Sequence, residues 1–203
     1  MDYYKQTQHI AEVDKNDKII GKIEKWEAHK KGVLHRAFTM ILYYQEKIVL
    51  QHRKHPVFDG YFDLSSSSHQ IFVPPSLSSR ATPSSSRGSR GITSNDILED
   101  DLTAIYKTLK REWNLNPVDL KDKPKLVKKI YYKAKDPNSE FSDHEIDYIY
   151  EGTLKKIPTP NYDFAYGFSL IEKKGLLKSK VFNLWSNQFA PWVKVMIEEK
   201  LIK

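Results

Sequence analysis

The chain has 203 residues, of which 39% are hydrophobic and 12% aromatic, a composition that suits a globular domain with a sizeable core. It contains no cysteine, which excludes disulfides, thiolate metal ligands and thiol nucleophiles. Its formal net charge is +7, but the basic residues are scattered, so a small anionic ligand is favoured over nucleic acid. We find neither an apolar signal core nor a bilayer-length apolar stretch, which predicts a cytoplasmic protein with no membrane partner.

The first third of the chain is predicted to contain two β-hairpins separated by one helical segment. Alternating, strand-forming residues indicate strands over 10–13, 19–23, 36–44 and 47–51, and the start of another strand over 61–64. The Asn16-Asp17 pair predicts the first turn, and Gly32 predicts the end of a helix over 25–31. Residues 56–60 are predicted to form a loop.

Residues 73–95 are rich in Ser, Pro and Arg and contain almost nothing to bury. This composition predicts a flexible insertion within one domain that spans residues 1–203. We expect the segment to be a passive linker rather than a regulatory loop.

The second half of the chain is predicted to contain helices and long strands. Its clearest helix has one apolar stripe, a cap among Ser94, Asn95 and Asp96, and an end at Asn114; the stripe comprises Leu98, Leu102, Ile105, Leu109 and Trp113. Strands are predicted over 125–134 and 144–153, and a weak helix over 168–174. A C-terminal amphipathic helix is indicated by Phe189, Val193, Met196, Ile197 and Leu201. The pattern predicts an α+β fold with a mixed β-sheet between helices.

Potential metal ligands occur in three separated stretches: His29 with His35, then His69, then the cluster at 143–147. On a strand, the carboxylates of Asp143, Glu145 and Asp147 share one face, where they are costly to keep ionised together without a cation. Imidazoles combined with carboxylates suit Zn, Mn or Fe. Taken singly, however, each histidine is more often a surface or satisfied core residue.

Acidic residues also lie on the predicted helix. Glu99 and Glu112 are thirteen positions apart, which points them in different directions along a regular helix. From spacing alone, they are better explained as part of a solvated helix face.

Several motifs resemble those of type 1 isopentenyl diphosphate isomerases, a branch of the Nudix superfamily. They occur in the family's order and comprise residues 13–21, 24–38, 131–137, 143–149 and 188–192. The resemblance extends from about residue 10 to 202, without the Ser-rich segment. It implies the Nudix fold and a divalent-metal enzyme whose small-molecule partner is an organic diphosphate.

The resemblance also implies two ion sites. One ion, Mn²⁺ or Zn²⁺ among the candidates, falls to His29, His35, His69, Asp143 and Glu145. A second ion, Mg²⁺ bridging the diphosphate, falls to Glu112, the last glutamate of the family's helix. A hydrolase of the same superfamily would hold Mg²⁺ with both Glu99 and Glu112.

The remaining implied roles concern substrate and protons. Lys25 and Arg53 fall where the diphosphate is bound, and Trp185 or Trp192 falls where an aromatic ring stabilises developing positive charge. For both tryptophans, ordinary core packing is the simpler reading. Glu145 with Tyr132 is expected to deliver one proton of the allylic shift.

The chain departs from the family at several positions. Ser67 stands where the isomerases carry the cysteine that handles the other proton, and a hydroxyl is far less acidic than a thiol. Asp143 replaces a glutamate, and Thr108 replaces an arginine that often contacts the diphosphate. The hydrolase signature is also incomplete, because Thr93 replaces its glycine and Lys107-Thr108 its Arg-Glu pair.

Three functions therefore stay open from the sequence. An isomerase is favoured by the motif order, and a hydrolase of a nucleoside or other organic diphosphate is disfavoured by the missing helix carboxylates. A non-catalytic ligand-binding homologue is favoured by the loss of the thiol.

Overall fold

A computed structural model describes residues 2–74, 96–176 and 186–202. The strands are β1 (His9–Val13), β2 (Ile19–Glu24), β3 (His35–Tyr44), β4 (Lys47–Arg53), β5 (Phe62–Asp63), β6 (Ser66–Ser68), β7 (Phe72–Val73), β8 (Ile97–Leu98), β9 (Lys125–Lys135), β10 (Ser142–Thr153) and β11 (Ala165–Glu172). The helices are α1 (Lys25–Lys31), α2 (Asp101–Trp113), α3 (Lys173–Leu176) and α4 (Pro191–Glu198). No helix in these ranges has the length and apolarity needed to cross a bilayer.

The sheet is mixed, as predicted. β10 runs parallel to β3, in a register that begins at Glu145 opposite His35, and antiparallel to β9. The other long pairings, β1 with β2 and β4 with β11, are antiparallel. One core lies against α4 and a second against α2, so helices cover both faces of the sheet.

Both predicted hairpins and the first helix are confirmed. β1 pairs with β2, and β3 pairs with β4 through a two-residue turn at Gln45 and Glu46, both with positive φ. Helix α1 ends at Gly32, whose φ of 62° lies in the left-handed region that glycine adopts without strain.

The start of the central helix was predicted wrongly. α2 begins at Asp101 and is capped by Asp100, whose carboxylate accepts a hydrogen bond from the Thr103 amide. Leu98 is not helical because β8 pairs with β7, a contact that local periodicity does not reveal. The predicted end at Asn114 is confirmed, with a φ of 54°.

The predicted weak helix over 168–174 is mostly wrong. Residues up to Glu172 belong to β11, which pairs with β4, and only Lys173–Leu176 is helical. The C-terminal helix is shorter than its apolar pattern, because it spans Pro191–Glu198 and leaves Phe189 and Leu201 outside. Apart from Val73 in β7 and Pro74, the predicted insertion lies outside the described residues.

Candidate active site

Three histidines and one glutamate converge where β3 and β10 lie side by side. His29 lies in the last turn of α1, His35 begins β3 and His69 follows β6, while Glu145 faces His35 across the parallel ladder. One ligand atom from each of the four residues lies within 4.8 Å of the others. His29, His35 and Glu145 are buried. The structure therefore brings together residues separated by more than 100 positions.

The contacts of His35 require a positive charge inside this cluster. His35 Nδ1 lies 2.7 Å from the Val33 carbonyl oxygen, which only accepts, so Nδ1 carries a hydrogen. In the neutral imidazole, Nε2 then carries a lone pair and no hydrogen, yet Glu145 Oε1 lies 3.2 Å from Nε2. The same carboxylate oxygen lies 3.3 Å from His69 Nε2. A lone pair and a carboxylate oxygen repel at this distance unless a proton or a metal ion lies between them.

Further polar atoms at the site are buried and lack a hydrogen-bond partner within the described part of the chain: His29 Nδ1, His69 Nδ1 and Asp143 Oδ1. Asp143 Oδ1 lies 3.7 Å from His29 Nε2, outside the tight group of four. Buried polar atoms are normally paired, so these orphaned donors and acceptors fit an ion held by nitrogen and oxygen ligands.

Burial sets the charges of these groups. It lowers the pKa of His69 to about 4, and together with the charge of His35 it lowers the pKa of His29 well below the ordinary value. Both imidazoles are therefore neutral at pH 7, the form that binds metal. Burial alone favours a protonated Glu145, but the imidazoles of His35 and His69 outweigh it and hold the Glu145 pKa well below its usual range. Burial and the charge of Glu145 raise the pKa of Asp143.

Tyr132 lies directly opposite Glu145 on β9. Its hydroxyl donates to Glu145 Oε2 at 2.5 Å and also reaches Asp143 Oδ2 at 3.4 Å. Burial and then the negative charge of Glu145 raise the pKa of Tyr132 well above its ordinary value, so the phenol keeps its proton. Glu145 therefore contacts the histidine cluster through Oε1 and the Tyr132 phenol through Oε2.

Ser67 lies on β6 opposite Thr39 and lines the same cavity. Its hydroxyl donates to Asp63 Oδ2 at 2.9 Å, and Thr39 Oγ1 lies at the same distance from Ser67 Oγ. Thr39 Oγ1 also lies 2.8 Å from Asp147 Oδ2. Burial, and then the charge of Glu145, raise the pKa of Asp147, so a protonated Asp147 can donate to Thr39. The sequence analysis did not identify this chain of hydrogen bonds; its one local signal is Asp63, a charge inside an otherwise apolar stretch.

Arg53 and Trp192 line the cavity but are both bonded to Asp63. Arg53 Nη1 donates to Asp63 Oδ2 at 2.8 Å, and Trp192 Nε1 donates to Oδ1 at 2.7 Å. The Arg53 guanidinium also lies 4.9 Å from the Trp192 ring centre. A buried carboxylate therefore already balances the charge of Arg53. The other predicted tryptophan, Trp185, lies outside the described residues.

Lys25 is a buried cation without a carboxylate partner among the residues the structure describes. Its ammonium lies 4.7 Å from the Trp26 ring centre and 5.5 Å from that of Tyr3. Because rings balance a buried ammonium less completely than a carboxylate does, Lys25 is suited to an anionic ligand. Tyr3 was not identified from the sequence, where its position so near the N-terminus carries no local signal.

The structure brings Glu112 to the cavity but not Glu99. Glu112 is buried, and its carboxylate accepts from Arg111 Nη2 at 2.8 Å and from Gln51 Nε2 at 3.4 Å. Glu99 precedes α2, is paired with Lys107 and is not among the residues that line the cavity. Because Glu99 lies outside the helix, the angle between Glu99 and Glu112 that was predicted from helical spacing does not apply.

His55, beside the cavity, is expected to make the free energy of unfolding depend on pH. It follows β4, and its Nδ1 lies 3.1 Å from the Val57 amide nitrogen. Burial, and then the charges of Arg53 and Lys25, lower the pKa of His55 well below its ordinary value, so the folded protein holds it neutral. The unfolded chain instead gains this proton below about pH 6.5. Stability from this group is therefore full above that pH and is lost as the pH falls towards the lowered folded pKa.

We expect His55→Asn, which retains an acceptor, to reduce the loss of unfolding free energy between pH 7 and 5. The partly exposed ring limits the difference to at most about 1 kcal/mol per pH unit. Urea unfolding of chelator-treated protein measures it, with His52→Asn on β4 as the matched control. Parallel pH profiles for wild type and His55→Asn would contradict the assignment.

The chain matches no family model. It is 30% identical over 220 residues to isopentenyl-diphosphate Delta-isomerase 1 of Mus musculus, and this alignment covers 98% of this chain and 86% of the relative. It is 31% identical to the protein of the same name from Mesocricetus auratus, with the same coverage, and 29% identical to isopentenyl-diphosphate delta-isomerase of Schizosaccharomyces pombe, which covers 94% and 80%.

Solved structures show the same architecture at low sequence identity. DR0079 from Deinococcus radiodurans aligns with a TM-score of 0.58 at 13% identity, covering 94% of this chain and 98% of that one. A MutT NUDIX hydrolase from Burkholderia pseudomallei aligns with a TM-score of 0.52 at 11% identity, covering 81% and 96%. The sequence identity over nearly the whole length and the shared architecture lead to one conclusion: the chain belongs to the isopentenyl-diphosphate Delta-isomerase family and has the Nudix fold.

Proposed function

We propose that the chain is a divalent-metal-dependent isomerase that moves the double bond of isopentenyl diphosphate by a 1,3-allylic shift. One observation carries the proposal: Glu145 contacts two imidazoles of the histidine cluster through Oε1 and accepts the Tyr132 phenol through Oε2. The names of the relatives support the substrate.

The proposed ion ligands are His29, His35, His69 and Glu145, with Asp143 beside them. Glu112 is proposed to hold Mg²⁺ at the diphosphate. Mn²⁺ or Zn²⁺ suits the histidine-rich group, because imidazole nitrogen is a better ligand for these ions than for Mg²⁺. When bound, the first ion supplies positive charge that keeps its carboxylate ligands ionised.

In the proposed reaction, the Tyr132–Glu145 pair gives a proton to the terminal carbon of the substrate double bond. The π electrons form the new C–H bond, which leaves a carbocation-like centre that the Trp192 ring stabilises. A neighbouring C–H bond then breaks, and its electrons form the new double bond. Ser67, in the same cavity, is the proposed acceptor of that proton. A proton beside a carbocation is very acidic, so even a weakly basic hydroxyl held by Asp63 suffices.

The test is incubation with isopentenyl diphosphate and Mg²⁺ in D₂O, followed by proton NMR. We expect the allylic isomer, with one solvent deuterium in its new methyl group, because protonation occurs at the terminal carbon. Release of phosphate without isomerisation would instead identify a hydrolase. Neither reaction, combined with a raised melting temperature, would identify a binding protein.

A further inference from the structure

The guanidinium of Arg111 reaches the cavity from the last turn of α2. It packs against the Tyr3 ring, with Cζ 4.0 Å from the ring centre, and against the Phe164 ring at 5.7 Å. The nearby ammonium of Lys25 lies 5.5 Å from the same Tyr3 ring centre. Two cations, on α1 and α2, therefore flank one aromatic ring at the cavity.

The hydrogen bonds of Arg111 leave most of its donors unused. Among the residues that the structure describes, all of them are made by Nη2, to Glu112 Oε1 at 2.8 Å, Thr108 Oγ1 at 3.2 Å and Ser68 Oγ at 3.4 Å. Nε is buried without a partner. A guanidinium carries five N–H groups in a fork that matches phosphate oxygens, so its unused donors at the cavity suit an anionic ligand.

Thr108 explains how this side chain reaches the cavity. It lies one helical turn before Arg111, on the same face of α2, and it is buried. Its short side chain leaves room for the guanidinium to fold back over it, and its hydroxyl accepts the hydrogen bond that fixes this orientation. A longer side chain at position 108 would occupy the same space.

We propose that Arg111 binds the diphosphate of the substrate together with Lys25, with Thr108 positioning it. This inference depends on the proposed function only for the identity of the substrate. The contacts of Arg111 and Lys25 are sufficient to argue that the ligand is an anion. Arg53 and Arg111 each have a carboxylate partner at 2.8 Å and a buried Nε without a partner among the described residues. They differ because the partner of Arg53, Asp63, also accepts hydrogen bonds from Ser67 and Trp192 and is not a proposed ion ligand. The carboxylate that contacts Arg111 among the described residues belongs to Glu112, itself a proposed Mg²⁺ ligand, so an ion held by Glu112 would leave the guanidinium free to bind phosphate oxygens.

Binding of inorganic pyrophosphate with Mg²⁺, measured by calorimetry, tests the inference without requiring turnover. We expect Arg111→Gln to raise the Kd roughly tenfold to a hundredfold, and Arg111→Lys to raise it less, because a lysine keeps the charge but loses the fork. Lys110→Gln removes the same charge from an exposed neighbouring position and is expected to change the Kd less than about twofold.

The double variant Arg111→Gln/Thr108→Arg restores a guanidinium from the adjacent turn and is expected to recover most of the lost affinity. A merely structural role for Arg111 predicts no such rescue. An unchanged Kd in folded Arg111→Gln, or no binding of pyrophosphate by the wild type, overturns the inference. Pyrophosphate binding that depends on Arg111 in a protein that does not isomerise the substrate would overturn the proposed function and leave this inference standing.

Discussion

Glu145→Gln is expected to reduce kcat by about a thousandfold or more, because the change removes both a proposed metal ligand and the carboxylate that accepts the Tyr132 hydroxyl. The amide keeps the shape of the side chain but carries no charge to balance an ion. We therefore also expect at least about a tenfold loss of metal affinity. Steady-state kinetics and metal titration of chelator-treated protein measure the two effects.

Two further variants separate these roles. Tyr132→Phe removes only the phenol, so we expect kcat to fall about a hundredfold while metal affinity stays within a few fold. Glu151→Gln makes the same chemical change as Glu145→Gln six residues further along β10, roughly 20 Å away, and is the matched control. An active Glu145→Gln enzyme with normal metal affinity would show that Glu145 takes part in neither proton transfer nor metal binding.

Ser67→Cys is expected to raise kcat about a hundredfold while changing KM only a few fold. A thiol ionises near pH 8.5, whereas a serine hydroxyl does not ionise in the accessible range, so the thiol exchanges protons far more readily. Ser67→Ala, which lacks any such group, is expected to be slower than the wild type. The isomerisation assay compares the three proteins at saturating substrate and Mg²⁺.

The absence of cysteine from the natural chain makes this test specific. In Ser67→Cys the only thiol is at position 67, so alkylation inactivates through that residue alone. The dependence of the alkylation rate on pH gives the pKa of the thiol. A Ser67→Cys enzyme no faster than Ser67→Ala would show that position 67 does not take part in proton transfer.

Local signals were sufficient where neighbouring residues determine the structure. The Asn16-Asp17 turn and the left-handed Gly32 and Asn114 caps depend on a few adjacent positions, and all three are confirmed. Residues 168–172 show the limit. Their apolar pattern is compatible with a helix or a strand, and pairing with β4 decides in favour of the strand.

The candidate site shows the same division. Motif order was enough to bring His29, His35, His69 and Glu145 together as one predicted group. Arg111 was not identified, because its proposed role depends on a small residue one turn earlier and on an aromatic ring more than 100 positions away. No local pattern of residue types encodes such contacts.

The parallel ladder between β3 and β10 bears on when, during folding, the proposed ion site can form. His35 and Glu145 are 110 positions apart, and a parallel pairing of that separation is expected to form late, because the long intervening loop must first be closed. We therefore expect an ion bound at the proposed site not to act as a nucleus for folding. Such an ion is expected to stabilise the folded protein after the ladder has formed, so that adding it slows unfolding and leaves the rate of folding nearly unchanged.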